Sequence, residues 1–258
     1  MRSAYSHSKN TRPSGRKMIC TDLDGTLIGD DDSMYELLDI IDKNNILLVF
    51  STGRHLPLVL KFIDEKRVRK PDACICLVGT ELYVVEKGEF ILDDRWSEII
   101  SEGWHRGRIL ELLHDIKELV WQPEEFQTEF KASYFLTENR EEVLKQVISR
   151  VEKAKLEVKI IYSCDKFLDF LPLKSSKSGA LRYLLKRFGV RKRDTIVCGD
   201  SGNDLELFKA GFKGIIVGNA YAELENYKGK NAYHAAGEYS AGIIEGLRQL
   251  DFTGGVSL

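Results

Sequence analysis

Two carboxylates separated by one residue follow the first buried strand that the sequence predicts. The segment DLDGT at residues 22–26 comes directly after an apolar run at residues 18–20. In open α/β sheets the ligand site lies at the carboxyl ends of the strands, where these side chains would fall. One carboxylate of such a pair can attack a substrate while the other transfers protons. Asp22 and Asp24 are therefore the predicted catalytic residues.

A second acidic loop follows the apolar run at residues 195–198. It contains Asp200, at the predicted end of a strand, and Asp204, four residues further along. Carboxylates that face each other from two strand ends are costly unless a cation lies between them. An oxygen-only site of this kind suits Mg²⁺, which keeps several waters beside a substrate phosphate. The pattern indicates a magnesium site, although Asp204 could instead be an ordinary acid at a helix N-terminus.

Two further segments could hold an anion beside these carboxylates. Residues 51–54, Ser-Thr-Gly-Arg, end a predicted strand, and a hydroxyl with free N–H groups at a helix start can bind an anion. Simple N-capping by Thr52 is the alternative interpretation. Lys177 begins a predicted helix, where a cation opposes the helix dipole and requires an anionic partner. Thr52, Gly53 and Lys177 are thus predicted to bind an anion.

The tetrapeptide Gly-Asp-Ser-Gly at residues 199–202 also mimics the nucleophile segment of trypsin-like proteases. That interpretation requires an all-β chain with a histidine base and a buried aspartate upstream. The alternation of strand and helix patterns contradicts it. The G-x-S-x-G elbow of other serine hydrolases is absent as well, because residue 203 is Asn. A serine hydrolase is therefore excluded.

Short apolar runs alternate with segments of helical period along most of the chain. The runs lie at residues 18–20, 46–50, 74–78, 195–198 and 214–217. They fit strands that are buried on both faces of a parallel sheet. Apolar residues recur at i, i+3, i+4 and i+7 from Met34, Leu56 and Leu181, and a capping box from Ser33 to Glu36 predicts the first helix start. The alternation predicts an α/β fold with a doubly wound parallel sheet.

The middle of the chain has a different pattern. Apolar runs at residues 82–85 and 90–92 flank a hairpin signal, and residues 156–162 alternate as in an antiparallel sheet with one open face. We predict an α+β module at residues 85–170, inserted into a core at residues 17–84 and 171–258. Residues 1–16 contain four basic and no acidic residues, and they predict a disordered tail.

Composition excludes several classes of protein. The 258 residues carry 38 basic and 40 acidic side chains, and this net charge of −2 argues against nucleic-acid binding. The longest apolar runs fall far short of the ~20 residues that cross a bilayer, and the N-terminal residues lack a secretory h-region. Five cysteines without a CxxC pattern predict reduced thiols. We expect a cytoplasmic protein without membrane or nucleic-acid partners, and a monomer is compatible with this composition.

Taken in this order, the motifs resemble those of the haloacid dehalogenase (HAD) superfamily of phosphohydrolases. They are Asp22-x-Asp24, Thr52, Lys177, and Asp200 with Asp204. Because 30 residues separate the first two motifs and 125 separate the next two, an inserted cap domain falls between motifs two and three. Within the superfamily the chain is similar to the sucrose-phosphate phosphatase group, which includes mannosylfructose-phosphate phosphatase. The stretches that carry this similarity lie at residues 78–83, 94–96, 127–134, 199–208, 217–220 and 241–247.

The resemblance implies a Mg²⁺-dependent phosphatase that acts on a sugar phosphate, such as sucrose 6-phosphate or mannosylfructose phosphate. It implies that Asp22 attacks phosphorus to form an aspartyl-phosphate and that Asp24 serves as acid and base. The carboxylate of Asp22, the backbone carbonyl of Asp24 and Asp200 would hold the metal. The phosphoryl oxygens would be bound by Thr52, Gly53 and Lys177. Residues that would support the metal and its waters are Ser201, Asn203 and Asp204.

Polar residues of the cap are the predicted sugar contacts. Gln127, Glu129 and Lys131 are spaced two apart, so on a strand they would share one face, as an ordinary solvated face also would. Arg54 completes the predicted substrate-binding set. Two other functions stay open, a catalytically silent sugar-phosphate sensor and a phosphatase for another small metabolite, of the mannosylglycerate phosphate or monosaccharide phosphate type. A phosphomutase is disfavoured, because its cap usually lies between motifs one and two.

Overall fold

The structure is a computed structural model that describes residues 15–163 and 165–253 of the chain. Almost all of the predicted disordered tail, at residues 1–16, lies outside the described residues. Twelve strands and nine α-helices occur in the described ranges. Within those ranges, no helix combines the length and the apolarity that crossing a bilayer requires.

Strands and helices alternate at both ends of the described chain, and two antiparallel hairpins lie between them. The strands are β1 (Met18–Thr21), β2 (Leu47–Ser51), β3 (Ala73–Cys76), β4 (Glu81–Glu86), β5 (Glu89–Leu92), β6 (Leu119–Trp121), β7 (Ala132–Leu136), β8 (Val158–Ser163), β9 (Phe167–Pro172), β10 (Thr195–Gly199), β11 (Lys213–Ile216) and β12 (Ala232–His234). The helices are α1 (Asp31–Lys43), α2 (Leu56–Lys66), α3 (Asp94–Ser101), α4 (Arg106–Leu113), α5 (Arg140–Lys153), α6 (Lys177–Phe188), α7 (Leu205–Lys209), α8 (Ala222–Glu225) and α9 (Tyr239–Gln249).

The larger of two sheets carries the predicted catalytic motifs. Its strand order is β12-β11-β10-β1-β2-β3-β4-β5, and the first six of these strands are parallel neighbours. Met18 and Cys20 of β1 belong to one apolar cluster and Ile19 to the other, because successive side chains point to opposite faces. Both faces of β1, β2 and β10 are buried. The predicted α/β fold is confirmed, and the five predicted core strands occur as β1, β2, β3, β10 and β11.

The first helix begins earlier than the capping box predicts. Its N-cap is Asp30, whose carboxylate accepts a hydrogen bond from the N–H of Ser33 at 2.9 Å. Ser33 lies inside α1 and is buried, so the predicted start at Ser33 is wrong. Asp and Ser are equally good N-cap residues. Three consecutive aspartates at residues 30–32 precede Ser33, and the sequence pattern does not show which of these four residues caps the helix.

The predicted hairpin is confirmed, but it belongs to the larger sheet. β4 pairs antiparallel with β5 and also with β3, which places residues 81–92 in the core sheet. The sequence placed residues from 85 onwards in the inserted module. An antiparallel pair at the edge of a parallel sheet is a common arrangement, and the local hairpin signal does not specify which sheet the hairpin joins.

The first helix after this hairpin is also fastened to the core. The indole N–H of Trp96, on α3, donates to the carbonyl of Gly79 at 3.0 Å. The buried carboxylate of Asp93, which caps α3, accepts a hydrogen bond from the hydroxyl of Tyr183 on α6 at 2.8 Å. We therefore propose that the inserted cap comprises residues 102–172 and begins later in the chain than the sequence indicated.

The cap contains the smaller sheet, with strand order β6-β7-β9-β8 and antiparallel pairing throughout. Helices α4 and α5 pack beside this sheet and against each other. Two linkers join the cap to the core, and they lie side by side, because Glu102 of the first forms an ion pair with Lys174 of the second. The chain thus leaves the core and returns to it at neighbouring points, and the cap is formed by the residues between them.

Candidate active site

The side chain of Lys177 lies beneath the carboxyl end of β1 and is completely buried. Its ammonium group donates to Asp22 Oδ1 at 2.9 Å, to Asp204 Oδ1 at 2.7 Å and to Asn203 Oδ1 at 2.7 Å. An ammonium group has three hydrogens, so these three oxygens account for its full donor capacity. Three of the four predicted motifs therefore meet at one buried cation.

The acidic loop after β10 is folded around the carboxylate of Asp204. Its Oδ2 accepts from the backbone N–H groups of Asp200 and Ser201, at 3.3 and 3.4 Å. Ser201 in turn accepts from the N–H of Asp204, which completes a capping box for the short turn at Gly202–Asp204. Asp204 is fully buried, and both of its oxygens are occupied. Asp204 therefore holds the loop that presents Asp200.

Two glycines allow the carboxylates to come together. Gly25 has a φ of +77°, and a Cβ atom there would lie 2.5 Å from Asp200 Oδ2. A Cβ atom on Gly199 would lie 2.6 Å from the Cγ atom of Asp204. No side chain fits at such distances, so both positions need glycine for a steric reason, and Gly25 needs it for its backbone conformation as well.

The buried carboxylates carry more negative charge than the protein itself neutralises. Burial raises the pKa of Asp22 to about 7, although the ammonium group of Lys177 opposes this shift. Burial also raises the pKa of Asp200. Burial alone would lower the pKa of Lys177, but the carboxylates of Asp204 and Asp22 outweigh it, and the net shift is upward. Negative charge is therefore in excess at this site.

This cluster has the composition of a divalent-cation site. Ligand oxygens of Asp22, Asp200 and Asp204 lie within 4.8 Å of one another. Among the described residues, three negative charges face one positive charge, so the ionised cluster carries −2, which a divalent cation would neutralise. Both oxygens of Asp204 are occupied, and Asp200 Oδ1 accepts from Thr26 at 2.9 Å. Within the part of the chain that the structure describes, the second oxygens of Asp22 and Asp200 are the ones without a side-chain donor. A buried acidic group that could bind a metal is thus present.

Adding Mg²⁺ is expected to raise the midpoint of thermal unfolding by on the order of 5 °C at pH 8, with the metal at about 100 times its Kd. At pH 5 the shift should be much smaller, because protons compete for Asp22 and Asp200, whose pKa values are raised. In the metal-free protein, these raised pKa values make the stability change with pH in the opposite direction to the change caused by an ordinary ion-paired carboxylate, whose pKa is lowered. The native state binds more protons than the unfolded state, so stability falls as the pH rises towards 7.

Differential scanning fluorimetry at both pH values, with Mg²⁺ or EDTA, measures these shifts. Asp200→Asn should lose the Mg²⁺ shift at pH 8, whereas Asp39→Asn, on the exposed side of α1, should keep it. An equal Mg²⁺ shift at pH 5 and pH 8 would contradict the assignment of the cluster as the metal site.

A cavity of 530 Å³ opens above the cluster, between the core and the cap. Its walls include nine of the predicted site residues, namely Asp22, Asp24, Thr52, Gly53, Arg54, Lys131, Asp200, Ser201 and Asn203. Lys177 and Asp204 lie beneath its floor. The structure thus brings together the core motifs and one cap residue around a single space of a size that ligand pockets commonly have.

Two of the predicted sugar contacts do not reach this cavity. Residues 127–131 are not a strand; they form a turn closed by reciprocal backbone hydrogen bonds between Thr128 and Lys131, and β7 begins only at Ala132. The amide of Gln127 bonds to the backbone of Gln122 and Ser133, and Glu129 is exposed outside the cavity. The prediction of a shared strand face is therefore wrong, because period-two reasoning applies only to a strand.

Several residues that line the cavity are not predicted from the sequence. Phe126 and Thr128 come from the cap turn, and Leu58 and Tyr221 come from the core. Phe126 and Tyr221 are large exposed aromatic side chains at the cavity wall, and sequence alone does not distinguish such residues from buried ones. Asn219 was also not predicted as a site residue; its amide donates to the carbonyl of Gly25 at 2.7 Å and so holds the loop that follows β1.

A parallel sheet with carboxylates at its central strand ends, covered by a cap inserted between α3 and α6, defines a HAD-type fold. A haloacid dehalogenase-like hydrolase protein from Bacillus subtilis shares this fold, with a TM-score of 0.71 and 20% identity over 93% of this chain and 94% of that chain. The chain belongs to the sucrose-6F-phosphate phosphohydrolase family, whose model matches residues 15–251. The predicted resemblance is thereby confirmed.

Similar relatives include plant and bacterial enzymes. Sucrose-phosphatase 2 of Nicotiana tabacum is 35% identical over 250 residues, which cover 90% of this chain and 58% of that enzyme. The mannosylfructose-phosphate phosphatase of Agrobacterium fabrum is 30% identical over 239 residues, or 90% and 96% of the two chains. The sucrose-phosphatase of Synechocystis, solved with sucrose and phosphate, has a TM-score of 0.79 and 28% identity over 93% of this chain and 99% of that chain. The chain thus spans little more than half of the tobacco enzyme.

Proposed function

We propose that this protein is a Mg²⁺-dependent phosphatase that removes the phosphate group from a disaccharide phosphate. One observation carries the proposal: the buried nucleophile Asp22 faces a cavity whose opposite wall belongs to the cap. A phosphate at the floor of this cavity would lie against Asp22, Thr52 and Gly53, while the rest of the substrate would face the cap. Membership of the sucrose-6F-phosphate phosphohydrolase family supports the same assignment.

The chemistry divides into two steps. Asp22 attacks phosphorus, so that a bond from its carboxylate to phosphorus forms while the bond from phosphorus to the sugar oxygen breaks. Asp24 gives a proton to the leaving sugar oxygen and later takes one from the water that hydrolyses the aspartyl-phosphate. Thr52 and Gly53 bind the phosphoryl oxygens, and Lys177, whose three hydrogens are already donated to Asp22, Asn203 and Asp204, supplies positive charge beneath the phosphate in place of the expected direct bond.

The cation fits the oxygens that the site leaves available. Asp22, Asp200 and the backbone carbonyl of Asp24 would hold Mg²⁺, with Ser201, Asn203 and Asp204 supporting this loop. When bound, the metal supplies positive charge that shields the nucleophile from the phosphate and stabilises charge in the transition state.

The size of the space supports a disaccharide rather than a monosaccharide. A second cavity of 620 Å³ adjoins the first and shares Gly53, Leu77, Lys131 and Asn203 with it. It extends along the cap strands β8 and β9, where its lining includes Lys159 and Asp169. Lys131 lies where the two cavities join. We expect one sugar ring to lie above the phosphate in the first cavity and the second ring to lie beside the cap sheet in the second cavity.

Phosphate release across a panel of esters tests the proposal. The panel contains sucrose 6-phosphate, mannosylfructose phosphate, glucose 6-phosphate and p-nitrophenyl phosphate, each with Mg²⁺ and with EDTA. We expect Mg²⁺-dependent release with the highest kcat/KM on a disaccharide phosphate. Faster turnover of glucose 6-phosphate would indicate a monosaccharide phosphatase. Binding of phosphosugars without any release would instead indicate the sensor.

Lys131→Ala is expected to lower kcat/KM for the preferred disaccharide phosphate about tenfold or more, the scale of one lost hydrogen bond to a charged group. The ammonium group of Lys131 lies 3.4 Å from Asp169, and Lys131 lines both cavities. Turnover of p-nitrophenyl phosphate should change much less, because that substrate does not reach the cap sheet. Glu129→Ala, outside both cavities, serves as the matched control, and equal losses on the two substrates would contradict a sugar-binding role.

We also propose a cytoplasmic location. The four described cysteines, Cys20, Cys74, Cys76 and Cys198, are buried free thiols, as is usual in a reducing compartment. Cys164 lies outside the described residues.

A further inference from the structure

The side chain of Arg54 forms a two-pronged ion pair with Asp24 at the wall of the substrate cavity. Arg54 Nε donates to Asp24 Oδ2 at 2.8 Å, and a terminal nitrogen of Arg54 donates to Asp24 Oδ1. Both carboxylate oxygens are therefore held by one planar group, which fixes the direction of the carboxylate as well as its position. Among the described residues, Arg54 is the one side chain that bonds to this carboxylate.

Asp24 needs such a partner because its side chain is largely exposed to solvent and little else restricts its conformation. Its side chain is 58% exposed, whereas that of Arg54 is 26% exposed. The Asp24 side chain extends into the cavity from the turn after β1, and without a partner it would sample several rotamers. A general acid or base contributes fully only when it lies within hydrogen-bond reach of the oxygen that it serves.

The backbone of Arg54 is fixed at both of its polar groups. Its N–H donates to Thr52 Oγ1 at 3.1 Å, and its carbonyl accepts from the N–H of Leu77 at 3.1 Å. The guanidinium group also lies over the ring of Phe62, with its central carbon 6.0 Å from the ring centre. These contacts hold Arg54 in place, in the same loop that contains Thr52.

We propose that Arg54 is a positioning residue that aims the carboxyl group of Asp24 at the leaving-group oxygen. This inference rests on the proposed phosphatase function and replaces the sequence-based expectation that Arg54 contacts the sugar. In the step concerned, the Asp22–phosphorus bond forms, the phosphorus–oxygen bond breaks, and the leaving oxygen keeps the electron pair and takes the proton of Asp24. The oxygen of Asp24 that carries this proton gives up its bond from Arg54 and faces the leaving oxygen, while the other oxygen keeps its bond from the guanidinium group. Poor leaving groups need this proton, whereas p-nitrophenolate leaves without it.

A series of phosphate esters without sugar tests the proposal. The substrates are p-nitrophenyl, phenyl, trifluoroethyl and ethyl phosphate, whose leaving groups become steadily poorer, and kcat/KM is measured for each. For Arg54→Gln we expect losses of about tenfold to a hundredfold on ethyl phosphate, part of the ~10²–10⁴ that general acid catalysis supplies. The loss on p-nitrophenyl phosphate should stay within about threefold. The dependence of kcat/KM on leaving-group pKa becomes steeper as a result.

Three further variants separate the geometry of the pair from its charge, from folding and from a role that does not involve Asp24. Arg54→Lys keeps the charge but loses the fork, so it should recover only a small part of the loss. Arg150→Gln removes the matched two-pronged pair with Asp115 in the cap, whose second contact measures 2.9 Å, and should leave the leaving-group dependence unchanged. In an Asp24→Asn background, Arg54→Gln should add no further loss, because a positioning residue acts through its partner.

Several outcomes would overturn the proposal. Equal losses on all four esters would mean that Arg54 serves phosphate binding or the fold. A loss confined to phosphosugars would mean that it contacts the sugar, and a gain in rate would mean that the pair restrains Asp24. Failure of the phosphatase function itself is distinguishable, because the wild-type protein would then release no phosphate from any ester.

Discussion

Asp22→Asn is expected to abolish phosphate release, with kcat falling by at least about 10⁴-fold, because an amide cannot form the aspartyl-phosphate. The protein should nevertheless fold. Lys177 keeps its contacts with Asn203 and Asp204, and the substitution removes one of three buried negative charges. In EDTA the thermal midpoint of the variant should therefore equal or exceed that of the wild type.

Two measurements separate chemistry from folding in this variant. Phosphate release gives the activity, and thermal unfolding in EDTA gives the stability. Asp39→Asn, a charge-neutralising change at an exposed position paired with Lys43, should leave both unchanged. Retained turnover by Asp22→Asn would refute its assignment as the nucleophile.

Lys177→Met is expected to have the largest effect on stability. It removes the one cation that is buried among the three carboxylates of the described site, and breaking a buried ion pair in this way costs about 3–5 kcal/mol. For a chain of this size the thermal midpoint should fall by roughly 10 °C in EDTA. Added Mg²⁺ should restore part of the loss, because it supplies positive charge to the same cluster of carboxylates.

Lys174→Met provides the matched control for this substitution. Lys174 lies three residues earlier, and its exposed side chain pairs with Glu102 at the surface, so the expected change in stability is below about 1 kcal/mol. Thermal unfolding of both variants, with and without Mg²⁺, tests the prediction. A midpoint for Lys177→Met equal to that of the wild type would show that the buried cation does not offset the carboxylates.

The core of the fold was predictable because its signals are local and repeat along the chain. Residues of β1 and β10 are apolar with little interruption, which indicates a strand buried on both faces, and the motif residues directly follow those strands. The parallel arrangement then requires that Asp22 and Asp200 meet at one edge. The contact between Thr26 and Asp200 could not be predicted, because 174 residues separate the two partners and neither residue type implies the other.

The cap was less predictable for a physical reason. Gln127 is a polar residue near a cavity, yet its amide satisfies backbone groups of Gln122 and Ser133 that would otherwise lack partners. Sequence patterns do not distinguish a side chain that serves the backbone from one that serves a substrate. The hairpin of β4 and β5 shows the same limit, because a local signal specified the pairing within the hairpin but not the sheet that it extends.

The central position of β1 has a consequence for how the chain folds. Met18 pairs with Leu47 on one side and with Thr195 on the other, so one edge of β1 is completed soon after synthesis and the other only 177 residues later. Contacts of such large sequence separation slow folding, because loop-closure entropy is spent before they form. Until β10 emerges from the ribosome, one edge of β1 has unpaired backbone N–H and C=O groups, which invite association with other chains. We therefore expect slow refolding that is sensitive to protein concentration, with the catalytic site assembled only in the final step.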